Sequence, residues 1–115
     1  MRLLLTITLL ATTMGLYAEK SKQVKLPFGS ANAPASRGHG DRTDIQFINQ
    51  RNHEVHLYWF DHQKQRHRYG QLKSGEQKRQ GTYAGHIWLI TDTFGYPLGH
   101  FAATDKPGLA VITSE

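Results

Sequence analysis

Thr82-Tyr83-Ala84-Gly85-His86-Ile87-Trp88 carries a hydroxyl, an imidazole and an indole within seven residues, with a glycine where the backbone must bend. Read as a strand end, a tight turn and a new strand, it projects Thr82, His86 and Trp88 around one corner. His86 and Trp88 are two apart and share a face on an extended chain, while Ile87 and Leu89 point the other way, into a core. Upstream, Trp59 and Tyr69 are the large aromatics able to build a wall beside that corner. The expected result is a small aromatic pocket with two polar groups at its floor. The same five residues also fit a plainer reading, as core and edge positions of a small β domain. A hydroxyl near an imidazole invites a nucleophile and base, but no acid is placed to orient the base and no oxyanion loop is visible. No enzyme is expected. Among the seven histidines no pair with carboxylate support has a recognisable ligand spacing, so neither a metal nor a cofactor is expected.

Bulk composition narrows the class. A chain of 115 residues holds one domain plus any targeting segment, and 38% hydrophobic with 20% charged residues is ordinary for a folded protein. Without cysteine there is no disulfide, thiolate metal site or cysteine nucleophile. The net charge of +5 raises nucleic acid as a partner. The basic residues are scattered over loops and strand edges, and their densest run, Lys64 to Arg68, reads as a solvated hairpin tip. Nucleic-acid binding is not expected.

The elements that must position the pocket are strands. Met1-Arg2 followed by apolar residues from Leu3 to Met14 and ending at Ala18 has the layout of a secretory signal peptide, residues 1–18, cut after Ala18. An uncleaved anchor is the alternative. Export places the protein in a secreted or periplasmic setting, with no membrane association after cleavage. Residues 19–35 show no period and contain Pro27, Gly29 and Pro34, which reads as a flexible leader. Residues 36–115 form the folded domain. Period two begins at Asp44, and short strands follow near Glu54–Phe60, Arg66–Leu72, Gln77–Thr82, His86–Asp92, Leu98–Ala103 and Leu109–Thr113. Gly, Pro, Asp and Asn separate them, and no stretch of ten residues carries a helical stripe. The reading is all-β, a seven-stranded β-sandwich.

The stretch from Asp44 to Asp92 resembles the β domain of the von Hippel–Lindau tumour suppressor family. The resemblance rests on Phe47-x-Asn49, Val55-x-x-x-Trp59, Tyr69-x-x-Leu72-x-x-Gly75 and Thr82-Tyr83-x-Gly85-His86-x-Trp88-x-x-x-Asp92, in order and without insertion. It implies a prealbumin-like seven-stranded sandwich that binds an extended peptide with a 4-hydroxylated proline. By position, Trp59, Tyr69 and Trp88 would wall the pyrrolidine ring, and Thr82 and His86 would hydrogen-bond its hydroxyl. Tyr83 would sit at the rim. Phe47, Asn49 and Gly85 would be structural, Asn49 tying loops together, and Ser36 stands near the family's serine before the first strand. Gly81 departs from the family's polar residue before Thr82. The chain reaches only a few residues past Ile112, with no counterpart of the helical domain that recruits elongin C and a ubiquitin ligase in the animal tumour suppressor. Neither partner is expected. The function expected is a peptide- or protein-binding module recognising hydroxyproline. The alternative is a structural or interaction module that docks a protein partner or glycan without hydroxyproline selectivity.

Overall fold

The structure, a computed structural model, describes residues 22–113. The expected signal segment lies outside the described residues. Eight strands run in order: β1 Val24–Lys25, β2 Arg42–Asn49, β3 Val55–Phe60, β4 Arg66–Leu72, β5 Gln77–Tyr83, β6 Ile87–Thr91, β7 Pro97–Ala102 and β8 Gly108–Ile112. They form two four-stranded sheets, β1-β8-β2-β5 and β4-β3-β6-β7, packed as a sandwich. Alternation explains which residues face inward: Ile45, Phe47 and Asn49 of β2 are buried, while Gln46 and Ile48 are only half-buried. Phe47 is the centre of the core, with its ring edge-on to both Trp88 at 5.9 Å and Phe101 at 6.0 Å.

Asn49 is fully buried and anchors the end of β2. Its side-chain amide donates to the carbonyls of His53 and Leu72, both at 2.9 Å, and its Oδ1 accepts from Arg51 N at 2.9 Å. All three polar capacities that burial would otherwise orphan are thereby used.

Two expectations are corrected. The described part of the leader is an integral piece of the sandwich. β1 pairs in parallel with β8, Val24 opposite Gly108, and makes an eighth strand. Leu26 is 3% exposed in the main core, Phe28 stacks on Phe101 at 4.9 Å, and Gly29 bridges to His100. A two-residue strand has no period to read, and the prolines and polar residues around it look like linker.

The second correction concerns β6, which is buried along its whole length. Trp88 and Ile90 point into the main core between the sheets. Ile87 and Leu89 point to the opposite face, where they cluster with Ala33 under Tyr58 and Phe60. The N-terminal segment covers that outer face, so Ile87 and Leu89, expected to point into the core, pack in a separate outer cluster, while Trp88 faces the main core.

Candidate functional site

Strand β5 ends at Tyr83, and the chain reverses to enter β6 through a turn closed by His86 N donating to Tyr83 O at 3.1 Å. Gly85 occupies the third position with φ of 91°, a conformation that side chains with a Cβ resist. This reversal sets Thr82 and Tyr83 at the end of β5 beside His86, which closes the turn, and Trp88 on β6. Trp59 on β3 is the direct cross-strand partner of Trp88.

Tyr69 arrives by a different device. The pairing of β3 with β4 slips between Leu57 and Tyr58: Leu57 faces Gly70 while Tyr58 faces Arg68, so Tyr69 is the unpaired residue of a β-bulge. Bulges re-aim side chains, and here the bulge turns Tyr69 edge-on to Trp88 at 5.0 Å. Gly70 supplies the φ of 143° that the kink requires, and Lys78 Nζ on β5 donates to the Tyr69 carbonyl.

These side chains line one pocket of about 220 Å³, together with His39 and Gly81. All six residues expected to contact ligand therefore meet: Trp59, Tyr69, Thr82, Tyr83, His86 and Trp88. β4 and β5 are edge strands of their respective sheets, so unpaired backbone flanks the cavity. Trp88 is 2% exposed and is at once core residue and pocket wall. Its indole N–H donates to Thr82 Oγ1 at 2.9 Å. That bond fixes the threonine rotamer and leaves its own hydroxyl proton to offer elsewhere.

His86 is the feature that asks for a ligand. It is 6% exposed, its ring stacks on Trp59 at 5.2 Å, and its Nε2 is buried without a hydrogen-bond partner. Burial pushes its pKa below the ordinary histidine value, and the neighbouring His39 and His62 push in the same direction. The imidazole is consequently neutral at physiological pH, with one nitrogen a donor and the other an acceptor.

Ser36 holds the wall in place. Its buried hydroxyl donates to Phe60 O and accepts from Trp59 Nε1 at 3.1 Å and from Ile87 N at 2.6 Å. One oxygen thus couples the loop before β2 to β3 and β6.

His39 and His62 escaped sequence reasoning. His39 stacks on Tyr83 at 4.7 Å with an interplanar angle of 4°, and His62 sits edge-on to His86 at 5.7 Å. Both lie in loops, where no period assigns a side chain to a face. The available signal was proximity along the chain, His62 three residues after Trp59 and His39 three after Ser36. The loop carrying His62 is organised by Asp61, whose Oδ1 accepts from the amides of Gln63 and Gln65 at 2.8 Å and whose Oδ2 meets His67 at 2.8 Å. The His67 hydrogen bond first, then the two amides, hold the Asp61 carboxyl below its usual range.

The fold and this pocket define a β-sandwich binding module. A family model for the VHL beta domain matches residues 36–96, and the chain belongs to that family, whose β domains are non-catalytic peptide-binding modules. A search of curated proteins returned no match.

Proposed function

We propose that the protein binds an extended peptide segment and seats a 4-hydroxyproline in the pocket between β4 and β5. The observation that carries this reading is the buried, unpartnered Nε2 of His86 beside the Thr82 hydroxyl, at the floor of an aromatic-walled cavity. Trp59, Tyr69 and Trp88 give an apolar ring a dry seat. A ring burying roughly 100 Å² gains about 2–3 kcal/mol from that contact. The floor supplies the selectivity. Unmodified proline leaves His86 and Thr82 desolvated and unanswered, at about 1–3 kcal/mol for each group. The edges of β4 and β5 offer backbone partners to the flanking residues, which supports strand-like docking. We propose in addition that the protein works after export, in a secreted or periplasmic setting, as the apolar run before Ala18 suggests.

Fluorescence polarisation with two peptides of identical sequence, one carrying 4-hydroxyproline and one proline, tests the ligand. The hydroxylated peptide is expected to bind at least about tenfold tighter. Equal affinity, or no binding of either, removes the hydroxyproline assignment. His86→Ala, shown to be folded by near-ultraviolet circular dichroism, is expected to collapse the difference between the two peptides. Equal weakening of both would place the hydroxyl elsewhere than at His86.

A further inference from the structure

We propose that His39, His62 and His86 form a binding site for one divalent transition-metal ion of the zinc class at the mouth of the pocket. One ring nitrogen from each of the three lies within 4.8 Å of those of the other two. The ring centroids are 5.2 Å apart for His39 and His86, 5.7 Å for His62 and His86, and 6.3 Å for His39 and His62. Three imidazoles with no carboxylate or thiolate among them select Zn²⁺, Cu²⁺ or Ni²⁺ over Mg²⁺ or Ca²⁺, which require oxygen.

Three further observations favour a built site over a chance grouping. His86 is buried with Nε2 unpartnered, which a metal would satisfy. His62 Nε2 donates to the Arg37 carbonyl at 3.1 Å, which places the free lone pair of that ring on Nδ1. A backbone carbonyl holding the second nitrogen is the usual support of a metal-bound histidine. Finally, the loop bearing His39 is pinned on both sides, by Arg37 N to Gly85 O at 2.9 Å and Gly40 N to Ala84 O at 3.2 Å.

Zinc bonds of about 2.0–2.1 Å in tetrahedral geometry bring ligand nitrogens to about 3.3 Å. The exposed rings of His39 and His62 must therefore close on the fixed ring of His86. Three protein ligands leave a fourth position for water or for an atom of a bound ligand. A metal would take the same His86 nitrogen that the hydroxyproline reading assigns to the hydroxyl, so the two occupants compete, and zinc binding is measured without peptide to test the site by itself.

Calorimetric titration of the full chain with Zn²⁺ is expected to give one ion per chain. His39→Ala and His62→Ala, both at exposed positions and each checked for an unchanged melting temperature without zinc, are expected to weaken binding at least about tenfold. His53→Ala, outside the cluster, is expected to bind as the parent does. In a long-range 1H–15N spectrum the His86 ring nitrogens are expected to shift with zinc at the same stoichiometry. Absent one-to-one binding, an unchanged affinity in both ligand variants, or an unmoved His86 ring would each overturn the site and reduce the histidines to independent surface groups.

Discussion

At the scale of single residues, one hydroxyl does more for the pocket than any residue that touches its interior. Ser36 is 5% exposed and uses its oxygen three times, so Trp59 Nε1 and the Ile87 amide both depend on it. Ser36→Ala leaves two donors without an acceptor in a place water enters poorly. At about 1–3 kcal/mol for each orphaned group, the expected loss of stability is about 2–6 kcal/mol, read by urea unfolding. Trp59 would lose its anchor at the same time, and its fluorescence is expected to change in the folded variant. A loss under about 0.5 kcal/mol would show that the oxygen is not the hub. The pocket's chemistry was readable from residue types, since Trp59, Tyr69, Thr82, Tyr83, His86 and Trp88 all arrive there. The double duty of Trp88 was not. Alternation tells which residues share a face of a strand, but not whether that face looks into the sandwich or out of it.

At the scale of elements, period two sufficed wherever a strand was long enough to show it, and β2 through β8 fall close to their expected places. It failed for β1, for the bulge at Tyr69 and for the loops carrying His39 and His62, because each is decided by a neighbour distant in sequence. The N-terminal segment is the instructive case. Leu26 fills the main core, Phe28 lies flat on Phe101, and Ala33 closes the cluster over Ile87 and Leu89. A chain beginning at Ser36 loses all three contacts and uncovers one side of β8 and the outer face of β6. Deleting Leu26 alone is worth about 2–5 kcal/mol. The shortened chain is therefore expected to melt at least about 10 °C below one beginning at Lys22, or not to fold at all. Equal melting temperatures would return residues 22–35 to the role of a leader.

At the scale of the whole molecule, this is a small sandwich with no cysteine in its chain, held by its core and its hydrogen bonds without a disulfide. In a domain of this size, roughly 60% of the unfolded surface is buried, so each core contribution is a large share of the total. Export would subject such a domain to conditions where many secreted proteins rely on disulfides, which gives the covering N-terminal strand added weight. Cleavage after Ala18 would leave five residues before Val24 opens β1. Fully extended, five residues reach about 17 Å, so an uncleaved segment would hold the sandwich against the membrane surface. A cleaved one frees it while sparing every core contact of the N-terminal strand. Mass spectrometry of the protein from the exported fraction is expected to find Glu19 as the first residue. A chain that retains Met1 and needs detergent for release would make the protein a tethered receptor, and its pocket would then meet only ligands that reach that surface.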